Sequence, residues 1–544
     1  MTSKPFALVV GLFLVLSLVQ PGCSPDSGAV FSGSGGNTEK GGSAGASSSG
    51  GVSTQGGTTS AGGTSASGGA KSGGNTGTPG TGGAGSGGAT GSGGKTAGTG
   101  GASSTGGQTT PTGGILGSGG TTMGTGGAGK GGADAGAQGT GGSVTGTGGS
   151  AAGTGGQSTD GGTAGTTGTF VENEGADCTV GAMPTPTANA KLPNPFKKLD
   201  GTIMTTKAEW RCRRQEILKM AETFAYGTKE GTPTTTGTVT DGKITVNVSQ
   251  GGKTASFSVT WTKPSKGTAP YPAIVGLSSM VGIDTSIVSS EGVAFVTYDP
   301  YAIGAEGTGR TSKSGVYYTI NGSTSKTGLL MAWGWGVSRI IDVIAQSDGK
   351  LLKADAIGVT GCSRFGKGAF VIGVMDQRIA LPIPMESGSA GVPIWRGIPG
   401  EGAQSLSSAY GEQPWFGDAF SAFTSDPTKA PLDTHEVVAM VAPRGLLILD
   451  NPSIANLGPK SAHVAALGGA EVYKALGYAD RISYHSDTSN GNHCSTRTEY
   501  AQPLKDNIER YLLKTGTAAG AIKASSSATG KLSDWSDWTT PTLN

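Results

Sequence analysis

An apolar, β-prone run, Ala356-Ile357-Gly358-Val359-Thr360, leads into Gly361-Cys362-Ser363-Arg364-Phe365-Gly366-Lys367-Gly368, and a helix-like stretch continues from there to Asp376. This strand–turn–helix order constrains the chain more than any other feature. It lifts Ser363 clear of a sheet and puts a helix N-terminus behind it. There, backbone N–H groups and the helix dipole favour negative charge developing on an attacked carbonyl. The commoner pattern at such turns is G-x-S-x-G. Here Phe365 stands at the second glycine position, and the glycine comes one residue later at Gly366.

The surrounding pattern is β-rich first and alternating afterwards. Residues 237–259 contain segments such as Ile244-Thr245-Val246-Asn247-Val248, whose alternation predicts antiparallel strands. Residues 273–277, 293–298, 356–360, 381–385 and 445–449 read as buried strands, and 481–484 as a further strand-like run. Residues 327–346 predict a long amphipathic helix, with Trp333, Trp335, Val337, Ile340 and Ile341 interleaved with Arg339 and Asp342. Strands alternating with helices imply an α/β class: a mostly parallel sheet with helices on both faces. Together with the serine turn, this predicts the three-layer α/β-hydrolase sandwich.

Only part of the 544 residues can join that fold. The 102 glycines concentrate between Ser32 and Thr169, in a tract of Gly, Ser, Thr and Ala with scarcely a large apolar side chain. Such a tract cannot bury enough surface to offset its ordering entropy, so disorder is expected. Ahead of it, Lys4 precedes an apolar core from Phe6 to Val19, too short for a permanent span, and then Gln20-Pro21-Gly22-Cys23. A cysteine there resembles the acylation site of bacterial lipoproteins, although Gln20 and Pro21 depart from the usual residues. Ordinary signal cleavage is the alternative. Ser24 favours the outer membrane by the same resemblance, and either route exports the chain. The expected division is a lipoprotein-type signal over 1–22 with Cys23 acylated, a linker over 23–170 and a catalytic domain over 171–544. A linker of that length would span roughly 60–70 Å. A formal net charge of +2 gives no nucleic-acid signature.

Cys178, Cys212, Cys362 and Cys494 remain, an even number in an exported chain, with three possible connectivities. Cys362 precedes Ser363 and Cys494 follows His493. If that serine and histidine must meet, their neighbours lie close enough to bridge. Cys178 and Cys212 would then pin the start of the domain; four reduced thiols are the alternative. Of the four histidines, His493 falls in a turn-rich loop near the C-terminus, where a Ser–acid–His order needs its base. His485 is the competing base, and His435 and His463 read as helix-surface or structural residues. Glu386 and Asp450 each end a predicted strand on the serine's edge of the sheet, and residue mechanics alone divide the role of acid evenly between them.

Several separated strings decide further. Gly361 to Gly368, Met385-Glu386-Ser387-Gly388, Gly411-Glu412-Gln413-Pro414-Trp415-Phe416, Asn492-His493-Cys494-Ser495, Trp210-Arg211-Cys212-Arg213-Arg214 and the 332–339 helix segment resemble the glucuronoyl esterases of carbohydrate esterase family 15. The resemblance runs from about Cys178 onward. It implies Ser363 as nucleophile, His493 as base, Glu386 as acid, Arg364 as an oxyanion donor beside the backbone N–H, and Lys367, Gln404 and Glu412 on sugar hydroxyls. It also implies a disulfide between Cys362 and Cys494. The implied substrate is an ester between a lignin alcohol and (4-O-methyl-)glucuronic acid on xylan, cleaved through an acyl-enzyme.

At one position the chain departs from the family: Asn456 stands where a tryptophan is common, which weakens an aromatic platform for the sugar. An acetyl or feruloyl esterase and a non-catalytic carbohydrate-binding lipoprotein are the alternatives. Arg364 and Lys367 disfavour the first and the complete triad disfavours the second. No cofactor or metal is implied, the only membrane contact expected is the lipid anchor, and a monomer is expected.

Overall fold

Three antiparallel strands, β1 (Thr234–Thr240), β2 (Lys243–Gln250) and β3 (Lys253–Thr262), open a sheet of ten. The others are β4 (Tyr271–Leu277), β5 (Ala294–Tyr298), β6 (Leu352–Cys362), β7 (Ile379–Met385), β8 (Leu446–Leu449), β9 (Ile482–Ser486) and β10 (Ile522–Ala524). Their order is β1-β2-β3-β5-β4-β6-β7-β8-β9-β10, antiparallel as far as β5 and parallel from there on. This computed structural model describes residues 170–544 except Met280 and Asn490. The expected signal segment, Cys23 and the linker up to residue 169 lie outside the described residues.

Residue type follows position in the sheet. In β2 only Ile244, Val246 and Val248 are buried, as expected of a strand with one covered face. The central strands β4 and β7 are buried almost throughout, because helices cover both faces. The long helix is Leu329–Gln346, and it is less amphipathic than its sequence predicts. Arg339 is buried with the apolar residues, and the charge is tolerated because Glu172 (2.7 Å) and Asp342 (2.9 Å) pair with it. At the other end of the sheet, β10 pairs in parallel with β9, an addition that the pattern did not predict.

A disulfide joins Cys178 to Cys212, with Cα atoms 5.4 Å apart, and so pins the beginning of the domain to the helix Trp210–Ala221. Among the described residues no helix is long and apolar enough to cross a membrane.

Candidate active site

The carboxyl ends of the parallel strands collect the chemistry, as open α/β sheets require. Ser363 follows β6 and stands at the N-cap of the helix Arg364–Met375, which starts earlier than the helix-like stretch expected from Gly368 onward. Its backbone is held at φ 60°, ψ −125°, a region that costs a residue with a β-carbon of the order of 1–3 kcal/mol. Two hydrogen bonds fix it there: Ser363 N–H donates to Met385 O (3.0 Å), and Lys367 N–H donates to Ser363 O (3.0 Å). The displaced glycine now has a reason. A β-carbon on Gly366 would lie 2.2 Å from Met385 O, because the first helical turn rests on the end of β7. Phe365, in the usual glycine position, instead packs its ring against Tyr301 (5.7 Å) and Trp333 (6.1 Å).

Glu386 follows β7 with φ 46° and is completely buried. Its Oε2 accepts from His493 Nδ1 (2.5 Å) and Cys494 N–H (3.0 Å), and its Oε1 accepts from Arg497 Nη1 (2.7 Å). Burial pushes its carboxyl upward, but the bonds from His493 and Cys494 and the Arg497 charge outweigh that and hold it below the ordinary value. The structure also joins Cys362 to Cys494, Cα atoms 5.7 Å apart across 132 residues, which ties the serine turn to the histidine loop. Ser363 and His493 share no hydrogen bond among the described residues. Such contacts are often loose before substrate arrives.

The other candidates lie elsewhere. Asp450, the rival acid, does not touch His493; it accepts from Asn451 N–H (2.9 Å) and the Tyr484 hydroxyl (3.3 Å), and burial pushes its carboxyl up to about 7. His485 faces Asp487 at 3.5 Å. His463 Nδ1 accepts from Gly530 N–H, so it is structural. His435 is completely buried rather than at the surface, with Nε2 2.8 Å from Pro193 O and its ring stacked on Trp538.

Arg364 reaches Glu306 (2.7 Å), with Glu412 3.9 Å away. Glu306 also accepts from Trp415 Nε1 (2.6 Å) and the Tyr301 hydroxyl (3.1 Å), so one carboxylate orients the guanidinium and the indole together. Lys367 is buried, with Nζ 2.5 Å from Ser387 O and 5.3 Å from the Trp415 ring centroid. Burial lowers it to about 8, against the opposing charge of Glu412. An ammonium has three donors, so two remain for a ligand. Gln404 Nε2 donates to Glu412 Oε2 (2.7 Å), which makes these two a preformed polar pair.

Sequence reasoning missed Glu306 and Arg497. No periodicity marks either, since the partners that matter to the site, Arg364 and Trp415 for Glu306 and Glu386 for Arg497, lie far along the chain. Cys362, Glu386, His493 and Cys494 bring potential ligand atoms within 4.8 Å of one another, but the two sulfurs are bonded together and offer no thiolate to a metal.

A serine turn after a central parallel strand, tied by disulfide to the loop whose histidine pairs with a carboxylate at the end of the next strand, makes this an α/β-hydrolase. Residues 246–477 match the family model "Glucuronyl esterase, fungi". A 4-O-methyl-glucuronoyl methylesterase of Neurospora crassa is 38% identical over 375 residues, 68% of this chain and 93% of the relative. A glucuronoyl esterase from Sporotrichum thermophile, solved in complex with methyl 4-O-methyl-β-D-glucopyranuronate, superposes with TM-score 0.62 at 34% identity, covering 68% of this chain and all of that one. A family 15 enzyme from Caldicellulosiruptor kristjansonii gives TM-score 0.56 at 27% identity, over 66% of this chain and 98% of its own. The chain belongs to the glucuronoyl esterases of carbohydrate esterase family 15.

Proposed function

We propose that this chain is a serine esterase that cleaves esters of glucuronic acid, including the 4-O-methyl form, carried on xylan and linked to lignin alcohols. The observation that carries the reading is the pair of buried Glu386 and solvent-accessible His493, tethered by disulfide to a serine that stands before two cations. Glu386 accepts the Nδ1 proton of His493, which leaves Nε2 as the base. His493 takes the Ser363 proton as Oγ bonds to the uronate carbonyl carbon. The carbonyl electrons move onto oxygen, where the Arg364 N–H at the helix start and its guanidinium stabilise the charge. Collapse breaks the ester bond, and the alcohol leaves with the proton from His493. Water, deprotonated by the same histidine, then attacks the acyl-enzyme and frees glucuronate and Ser363. Lys367, Gln404 and Glu412 hold sugar hydroxyls. A plain acyl group would leave these polar atoms unpaired, and selectivity for the uronate follows.

Benzyl glucuronate should therefore be hydrolysed far faster than an acetylated xylose, with Ser363→Ala as the blank. In the same assay Arg364→Ala should lower kcat about 10²–10³-fold with a much smaller change in KM. Acetyl release without glucuronate release would contradict the reading.

We further propose that residues 171–544 form the catalytic domain, that 23–170 serve as its linker, and that export ends with Cys23 lipidated at a bacterial-type outer surface. The matching family model is the fungal one, so the anchor rests on the N-terminal sequence alone. The mass of the mature N-terminus tests it: a lipid-modified Cys23 is expected, and an unmodified terminus would leave a freely secreted enzyme.

A further inference from the structure

A cavity of about 460 Å³ is lined in part by Pro452 and Ala455, from the loop 451–458 that also contacts the histidine loop. On the catalytic side, Asn451 Nδ2 donates to Gly491 O (3.2 Å) and Asn492 O (3.4 Å), beside His493. The carbonyl of Asn456 accepts from the N–H of Gln404 (3.0 Å). The cavity's remaining walls are the short helix Ile398–Glu401, the start of the helix Pro459–Leu476 and the C-terminal segment that carries Ser527, Lys531, Asp534 and Trp535.

Part of this lining is committed to the fold. Glu401 caps the long helix, accepting from Lys460 N–H (2.5 Å), Ser461 N–H (2.9 Å) and Ser461 Oγ (2.6 Å), so the helix N-terminus is already satisfied. Other groups have no partner among the described residues: the ammonium groups of Lys460 and Lys531, the carboxylate of Asp534 and the indole N–H of Trp535. Trp538, three residues on, makes the contrast, because its Nε1 donates to Leu192 O (3.2 Å). The backbone of Trp535 is nevertheless fixed, its N–H on Leu532 O (2.9 Å) and its carbonyl on Leu192 N–H (2.9 Å).

A positioned, half-buried indole, two free cations against one free carboxylate and a concavity of ligand size together describe a carbohydrate site. The C–H face of a pyranose stacks on the ring, and a sugar carboxylate receives charge-assisted bonds from the ammonium groups. We propose that this cavity is a second sugar subsite, which takes a uronate-bearing pyranose of the same polysaccharide whose ester is cleaved across the loop. The proposal rests on the esterase reading for its substrate but not for its binding chemistry. It gives the enzyme a grip on the chain beyond the scissile residue, at the loop whose cleft edge carries Asn456.

The test uses the full chain and its Lys531→Glu and Trp535→Ala variants. Lys531 is exposed, so its reversal should preserve the fold even if loss of the indole does not. KM for polymeric glucuronoxylan esters should rise about tenfold in Lys531→Glu, while kcat/KM for benzyl glucuronate stays unchanged. Calorimetry with a glucuronate-bearing xylo-oligosaccharide should show the same tenfold weakening, with a neutral xylo-oligosaccharide little affected. If the wild type cleaves no uronate ester, the esterase reading falls and calorimetry still decides the subsite. Equal binding by wild type and Lys531→Glu, an equal loss for the neutral sugar, or no binding by the wild type would overturn the proposal.

Discussion

Ser363→Gly should give a protein that no longer turns over uronate esters yet unfolds at a higher temperature. Ser363, the proposed nucleophile, sits at φ 60°, ψ −125°, where a β-carbon is strained and glycine is not. Relief of that strain contributes about 1–3 kcal/mol, and the greater freedom of glycine in the unfolded chain takes back about 1 kcal/mol or less. The net expectation is a gain of about 1 kcal/mol, set against a loss of about 10⁶-fold in kcat when the nucleophile of a triad is removed. Thermal unfolding and residual turnover on one preparation check both. A lower unfolding temperature would mean that the hydroxyl or β-carbon stabilises the turn and that the elbow stores no strain for catalysis.

The sequence revealed most where residue type and local geometry are coupled. Buried parallel strands need continuous apolar runs, so β4, β6, β7 and β8 were visible; β10, three residues at the sheet edge, lacked such a run. The serine turn was visible because Gly361 must approach Phe365 O and Gly366 must approach Met385 O. Arg339 misled because charge usually marks a solvated face, whereas here Glu172, from the very start of the domain, covers it. The choice between Glu386 and Asp450 was beyond periodicity altogether. Both end neighbouring strands, and Glu386 N–H even donates to Leu449 O, immediately before Asp450. What separates them is the path of the histidine loop, set by the Cys362–Cys494 bond and by Arg497. Glu306 acts across 58 residues on Arg364 and carries no local sign.

Glu386→Gln should lower kcat by about 10⁴-fold, the scale seen when a triad acid is made neutral and the histidine loses its working tautomer. The carboxylate meets three donors: His493 Nδ1, Cys494 N–H and Arg497 Nη1. An amide has only one oxygen. If that oxygen faces His493, the NH₂ group confronts the buried Arg497 guanidinium and the ion pair between them is lost, at about 3–5 kcal/mol in stability. If it faces Arg497, the NH₂ group donates to Nδ1 and forces the proton onto Nε2, which can then no longer accept from Ser363. Either orientation fails, so kcat and unfolding temperature should fall together. The pH dependence has a defined sign. The folded value of Glu386 lies below the ordinary 4.5, so its stabilisation is present above that value and is lost as pH falls through the folded one. That acid-side loss should be absent from Glu386→Gln. Asp450→Asn supplies the opposite expectation. Burial already holds the Asp450 carboxyl at about 7, so much of it is protonated near neutrality, and an amide resembles that form. Its kcat should stay within a few-fold of the natural enzyme's. A 10⁴-fold loss in Asp450→Asn with activity retained in Glu386→Gln would transfer the role of acid to β8 and break the proposed triad.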